Sequence, residues 1–161
     1  MHIRLYRPAD LEALRALTVD AFQSVSIDQN IEKQFGPING RDWRWRKARH
    51  IDADVEANAV GVFVAEEDGA VIGYVTTRVD HEAGIGQIPN LAVAAGLRGQ
   101  GLGRRLIEHA LEYFRTLGLT HARIETLDQN PIGQHLYPAC GFREVARQVH
   151  YVMALRPGKN G

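Results

Sequence analysis

Between Leu97 and Arg105 the chain reads Leu-Arg-Gly-Gln-Gly-Leu-Gly-Arg-Arg, directly after an apolar run from Ile88 to Val93 and at the head of an amphipathic pattern reaching Leu117. A strand that turns through glycines into a helix presents backbone N–H groups and the positive end of a helix dipole to whatever sits there. The natural guest is a phosphate or pyrophosphate. Glycine suits the turn because it adopts positive φ and carries no side chain to keep an anion from the amides. Arg98, Arg104 and Arg105 surround the turn with cations. It is not a P-loop, which needs Lys-Ser or Lys-Thr after its last glycine. Nor is it a dinucleotide fingerprint: Gly99, Gly101 and Gly103 alternate, and the acid at about the right distance, Glu125, lies inside its strand pattern rather than at the end.

The flanking sequence reads as alternating strands and helices. Ile3 to Arg7 alternates as a strand, and Pro8-Ala9-Asp10 opens a helix with Leu11, Leu14, Leu17 and Phe22 at helical spacing and Asp10 as its N-cap. Ser24 to Asn39 is irregular and ends in a breaker cluster, Gly36 to Gly40. Arg41 to Asn58 reads as a charged second helix. Val60 to Glu66 and Val71 to Val79 are strands around an Asp68-Gly69 turn. Gln87 to Val93 is a fourth strand, Gly101 to Leu117 a third helix and Ala122 to Leu127 a fifth strand. Asn130 and Pro131 fit N-cap and N1 of a helix ended by Gly141. Phe142 to Ala146 and Val149 to Leu155 finish as strands, with a frayed tail over 156–161. This order predicts one α/β or α+β layered domain over 1–155 with a mixed sheet.

A second segment, Asn130-Pro131-Ile132-Gly133-Gln134-His135-Leu136-Tyr137-Pro138-Ala139-Cys140-Gly141-Phe142, lies one helix and one strand after the glycine turn. Together the two segments resemble the GNAT family of acetyl-CoA-dependent N-acetyltransferases, specifically over Ile88 to Phe142 and loosely elsewhere. The resemblance implies a mostly antiparallel central sheet of about seven strands, flanked by four helices and splayed between strands four and five. Acetyl-CoA would be the acyl donor, with its pantetheine arm in the opening beside Leu91, Ala92 and Val93. The amides of Arg98, Gly99, Gln100, Gly101, Leu102, Gly103 and Arg104 would hold the pyrophosphate. Asn130 would serve the arm or the helix cap. Pro89 removes a ladder donor and fits a strand disturbed at this point.

Acyl transfer to an amine also needs a deprotonated amine and a proton donor for the departing thiolate. Tyr137 falls at the family's general-acid tyrosine. Gln87 stands where some relatives carry a glutamate, and an amide accepts no proton at neutral pH. Glu125, mid-strand beside the splay, is the next choice, where burial would raise its pKa toward neutrality; facing solvent or pairing with Arg123 is the equal alternative. His81 and Glu82 lie in the turn before the fourth strand.

The resemblance gives acceptor selection to the stretch from Ala21 to Ile51. Trp43 and Trp45, two apart, fall on different helix faces, one for the core and one for a ligand. Asp28, Glu32 and Asp42 would attract a cationic amine. Arg41, Arg44, Arg46, Lys47 and Arg49 would instead suit an acceptor carrying a carboxylate or phosphate. The sequence does not choose between them. A small-molecule amine is expected rather than a protein N-terminus or lysine, and a CoA-binding sensor without chemistry is the non-enzymatic alternative.

Composition excludes several classes. With 19 basic and 19 acidic residues in 161 and 45% hydrophobic content, the chain is neither disordered nor a polyanion binder, so no nucleic acid is expected. No apolar run approaches the ~18 residues of a membrane span. The single cysteine, Cys140, fits a reducing, cytoplasmic setting and a buried structural role. No histidine pair has metal-ligand spacing, so no metal is expected. The tryptophans and the final strands are candidates for a homodimer interface.

Overall fold

The computed structural model describes residues 1–156. Its first strand, β1 (His2–Leu5), leads through a 3-10 turn (Pro8–Asp10) into α1 (Leu11–Ala21). Asp10 does not cap the amides of α1. Its carboxylate turns back to accept from Arg7 N at 2.7 Å and from the Arg4 guanidinium at 2.9 and 3.0 Å, which fixes the corner between strand and helix. The stretch read as irregular contains a helix, α2 (Ile27–Phe35), capped by Ser26 and ended by Gly36 at φ +71°. It buries no residue of its own. Its order comes from α3 (Trp43–Asn58): Glu32 accepts from Trp43 N, and Asp28 pairs with Arg46 and His50.

Strands β2 (Phe63–Glu67) and β3 (Ala70–Val75) form the expected hairpin, with Asp68 and Gly69 both at positive φ as a two-residue turn requires. Alternate residues of β2 serve opposite faces of the sheet. Phe63 and Ala65 pack with Val75, Leu106, Ile107, Ala110 and Phe114, while Val62 and Val64 pack with Leu14, Ile51 and Tyr74. Burial on both faces explains why this strand reads as a continuous apolar run.

The strands expected over Val71 to Val79 and Gln87 to Val93 are each broken in two. β3 stops at Val75 and β4 (Arg78–Asp80) begins after Thr76-Thr77; β5 (Ile85–Ile88) and β6 (Leu91–Val93) are separated by Pro89-Asn90. Pairing runs Val75↔Leu91 on one side of the break and Arg78↔Gln87 on the other, a slip of one residue. Thr76 N donates to Asn90 O at 2.9 Å and Asn90 N to Thr76 Oγ1 at 3.0 Å, so a side chain replaces a ladder bond at the slip. The result is a sheet ordered β1-β2-β3-β6 and another ordered β4-β5-β7, with α4 (Leu102–Thr116) against the first and β7 (His121–Ile124) parallel to β5.

Among the described residues this makes seven strands and five α-helices, but not the seven strands of the sequence reading. α5 (Pro131–Ala139) forms as expected, capped by Asn130 with Pro131 at its first position. The strands expected over Phe142 to Ala146 and Val149 to Leu155 do not form; residues 143–156 are exposed throughout. Their alternation is that of strands, but neither segment finds a pairing edge within the described chain. Of the tail expected over 156–161, residues 157–161 lie outside the described residues. No described helix is long and apolar enough to cross a membrane.

Candidate active site

The break at Pro89-Asn90 sends the two halves of one apolar run to different sheets, and this creates an opening. β5 stays beside β7 as far as Ile88↔Ile124, while β6 turns away to pair with β3. The expected splay lies here, and β6 has no strand on its other edge among the described residues. Leu91, Ala92 and Val93 supply that edge.

Beyond β6 a 3-10 turn (Ala95–Leu97) leads to Arg98, and Gly99 and Gly101 take φ +78° and +82°. Gly101 is the N-cap of α4, so no side chain caps the helix, and its first turn holds no acid. The first amides of a helix lack partners within it. Here, at Leu102, Gly103 and Arg104, they and the helix dipole face a surface uncovered at Gly99 and Gly101, where an added Cβ would meet nothing within 4 Å. That cradle fits a pyrophosphate. Arg98 donates to Val93 O at 3.1 Å and pairs with Asp20 at 3.2 Å, which ties the loop to β6 and α1; Arg104 pairs with Glu108. Gln100 is exposed, its amide 3.4 Å from Gly96 O.

α5 meets this cradle directly. A Cβ on Gly103 would stand 3.2 Å from Leu136 Cδ2, so the helices touch where only hydrogen fits easily. Asn130 accepts from Gly133 N at 3.4 Å, the capping role. Tyr137 is half-buried against the same apolar cluster as Leu91, Val93, Leu136 and Cys140, its ring edge-on to Phe142 at 6.4 Å. Burial, and then Cys140, push the phenol up to about 12, and its hydroxyl makes no hydrogen bond within the chain among the described residues. Burial also raises the Cys140 thiol, which suits a structural role.

On the other side of the break, Lys47, His50 and Asp54 of α3, with Arg78, Gln87, Pro89 and Asn90, line a cavity of about 330 Å³. Its floor is a polar network that the sequence reading missed. Asp54, 2% exposed, accepts from Thr76 Oγ1 at 2.8 Å, Asn90 Nδ2 at 2.7 Å and Arg78 Nη2 at 2.9 Å. Lys47 donates to Asn90 Oδ1 at 3.0 Å and lies 3.9 Å over the Phe22 ring. One signal was present: Lys47, His50, Ile51 and Asp54 follow one another at helical spacing, placing three polar residues on the face that also buries Ile51.

Desolvation drives the Lys47 amine down to about 8, against the opposing pull of Asp28 and Asp54. Below that value the folded chain holds a charged amine that the unfolded chain holds more easily, so the group opposes folding; the opposition fades as pH rises from about 8 toward 10.5. Stability should therefore rise by roughly 2 kcal/mol between pH 7 and 9.5 relative to Lys47→Met. Parallel urea titrations of the two proteins check this, and equal pH dependence refutes it.

The remaining candidates divide. Trp43 is 2% exposed and belongs to the core, while Trp45 is 38% exposed and held between Arg41 and Arg49 at 4.4 and 4.6 Å, as their spacing implies. Asp28, Glu32 and Asp42 are committed to Arg46 and His50, to Trp43 N and to the N-cap of α3. Gln87 is half-buried and lines the cavity. Glu125 corrects an expectation: it lies past the end of β7, its side chain 61% exposed and paired with Arg123 at 2.7 Å, so the burial expected of it is absent. His81 and Glu82 are exposed in the turn between β4 and β5. Among the described residues no group of three or more His, Cys, Asp or Glu side chains could hold a metal.

The sequence profile of the acetyltransferase (GNAT) family matches residues 18–142, and the chain belongs to this family. Mycothiol acetyltransferase of Parafrankia sp. is 29% identical over 162 residues, covering 89% of this chain and 50% of that protein. Streptothricin acetyltransferase of Streptomyces lavendulae is 30% identical over 156 residues, covering 86% and 79%. The chain spans about a third to a half of the length of the mycothiol acetyltransferases it matches. In fold it is similar to the PaiA N-acetyltransferase of Thermoplasma acidophilum, solved in complex with coenzyme A, with a TM-score of 0.70 at 18% identity over 88% of this chain and 89% of that one. An aminoglycoside N-acetyltransferase in complex with CoA gives 0.66 at 19% identity over 94% and 93%.

Proposed function

We propose that this protein transfers an acetyl group from acetyl-CoA directly to the primary amine of a small molecule. The observation that carries the reading is the meeting, around one opening in the sheet, of an uncapped helix N-terminus, an open strand edge and a half-buried phenol. The amides from Arg98 to Arg104 bind the pyrophosphate, and the free edge of Leu91 to Val93 takes the pantetheine arm as an added strand. The bound thioester supplies the acetyl group. Tyr137 donates a hydrogen bond to the departing sulfur. Aminoglycoside, streptothricin and mycothiol acetyltransferases among its relatives and structural neighbours support a small acceptor.

The cavity beside the break is where the acceptor is proposed to sit, with Gln87 on its wall; Trp45, stacked with Arg41 and Arg49, is not among its lining residues. Asp28, Glu32 and Asp42 do not line the cavity, whereas Lys47 and Arg78 do; each spends only part of its donors, on Asn90 and on Asp54, and the remaining donors favour an amine that also bears a carboxylate or phosphate. Glu125, open to solvent next to the opening, is proposed to pass the amine's proton to water. Glu125→Gln should lower kcat/KM about tenfold, less than a buried and aligned base would; an unaltered pH–rate profile removes it from the mechanism.

Acetyl-CoA binding by calorimetry, followed by thiol release against amines with and without an adjacent anionic group, tests the whole reading. Binding with release on the anionic amines is the expected result. Release on peptides alone would make it a protein acetyltransferase, binding without release would favour a sensor, and no binding would overturn the cradle.

A further inference from the structure

Of the two lysines among the described residues, Lys33 is exposed on α2, while Lys47 is 8% exposed on the wall of the cavity at the break. No carboxylate pairs directly with the Lys47 amine among the described residues: Asp28 is taken by Arg46 and His50, and Asp54 by Arg78. It is held instead by Asn90 Oδ1 at 3.0 Å, His50 Nδ1 at 3.4 Å and the face of Phe22 at 3.9 Å. An amine buried without an anionic partner gives up its proton readily. With its pKa down at about 8, about one Lys47 in ten is neutral at pH 7, against about one in 2,500 for an ordinary lysine.

The path proposed for the acyl donor ends beside this amine. Anchored at the cradle beyond Val93, the pantetheine arm runs back along Val93, Ala92 and Leu91, so its thioester end arrives at the break, at Asn90. The Asn90 side chain faces α3, where it accepts from Lys47 and donates to Asp54. A nucleophilic nitrogen is therefore built into the cavity at the place where an acceptor's amine has to stand.

We propose, resting on the acetyltransferase reading, that Lys47 is a site of self-acetylation, modified by the chain's own bound acetyl-CoA when the cavity holds no acceptor. The neutral Nζ adds to the thioester carbonyl carbon; the C–N bond forms, the C–S bond breaks, and the proton shed by nitrogen goes to the departing sulfur. The products are acetyl-lysine and the CoA thiol. An acceptor bearing a carboxylate or phosphate prevents the step, because its anionic group holds Lys47 as the ammonium. Once acetylated, Lys47 carries no charge, and Arg78 is left to recognise the anionic group alone. The modification thus records an excess of donor over acceptor and lowers the preference for anionic amines. The charged and titratable groups around the amine are Asp28 on α2, His50 and Asp54 on α3 and Arg78 on β4.

The test incubates the full chain with acetyl-CoA and no acceptor, and follows intact mass and peptide maps. One acetyl group should appear on Lys47, faster than on Lys33, at a rate per chain independent of protein concentration. Desulfo-CoA or an anionic amine should suppress it, and the rate should rise up to about pH 8 and then level off. Thiol release on added amines with Lys47 unmodified overturns the self-acetylation and leaves the acetyltransferase reading standing. Failure to bind acetyl-CoA overturns both. Equal labelling of Lys33 and Lys47, indifference to desulfo-CoA, or a rate climbing unbroken to about pH 10 shows uncatalysed acetylation of an ordinary lysine and overturns the site. After pre-incubation with acetyl-CoA, KM for an anionic amine should rise about tenfold or more in the wild type and stay unchanged in Lys47→Arg, which keeps the charge but takes no acetyl group. An equal rise in both proteins assigns the effect to another residue and overturns the switch.

Discussion

Tyr137→Phe is expected to lower kcat about 10²-fold while acetyl-CoA affinity stays within about twofold. The ring is half-buried against the apolar cluster and edge-on to Phe142, so removing one oxygen leaves the packing intact. Burial pushes the phenol up to about 12, which keeps it protonated across the neutral range. A proton held that tightly is not given up outright to a thiolate whose conjugate acid titrates near 8.5. The phenol therefore acts on the developing charge by hydrogen bonding; the ammonium's first proton leaves to water through Glu125 before attack, and the second, lost by the nitrogen after attack, is the one that finally rests on sulfur. Two consequences can be measured. The wild-type pH–rate profile should show no limb from Tyr137 below about pH 9, and the loss in the variant should lie in kcat rather than KM. Unchanged turnover at saturating substrate would remove Tyr137 from the chemistry.

The parts of the site that are strings of local chemistry were legible in the sequence. The glycine cradle needs only positive φ at Gly99 and Gly101 and a helix that begins without a cap, and Asn130-Pro131 carries its own N-terminal signal. The illegible parts depend on contacts between distant segments. α2 is short and buries no residue fully, and its local cues were the Ser26 to Gln29 capping pair and the row Ile27, Ile31, Phe35 at helical spacing. The break in the sheet follows from a one-residue slip opposite Thr76-Thr77, of which Pro89 announced only half. The exposure of Glu125 follows from alternation rather than from where the strand ends: Ala122 and Ile124 face the apolar cluster, so Arg123 and Glu125 face away from it and pair. The final strands were misplaced for another reason: their alternation is real, but the edge that would satisfy them is not offered within the described chain.

Asp54→Ala should cost about 3–5 kcal/mol of stability, because two buried donors lose their acceptor at once, whereas Arg78, 45% exposed, turns to water. Four donors converge on or around this carboxylate. Thr76, Asn90 and Arg78 bond it directly, and Lys47 bonds Asn90 at 3.0 Å. Removing it leaves the Thr76 hydroxyl and the Asn90 amide without their acceptor, and a desolvated amine loses a nearby opposite charge. At roughly 2–4 °C per kcal/mol for a chain of this size, the midpoint of thermal unfolding should fall by about 10 °C or more. Asp54→Asn keeps an acceptor oxygen for Asn90 or Thr76 but not the charge facing Arg78, so its loss should be smaller. The same network holds Thr76 against Asn90 where the sheet divides, so the damage should reach function through geometry. In the cold, where the variant stays folded, the cradle of Arg98 to Arg104 stands apart from the network and acetyl-CoA binding should survive, while the acceptor's KM rises because Lys47 and Arg78 are no longer held. A loss below about 1 kcal/mol would show that the network is relaxed by water, and the cavity would then owe its shape to the apolar packing of Ile51 and Tyr74 instead.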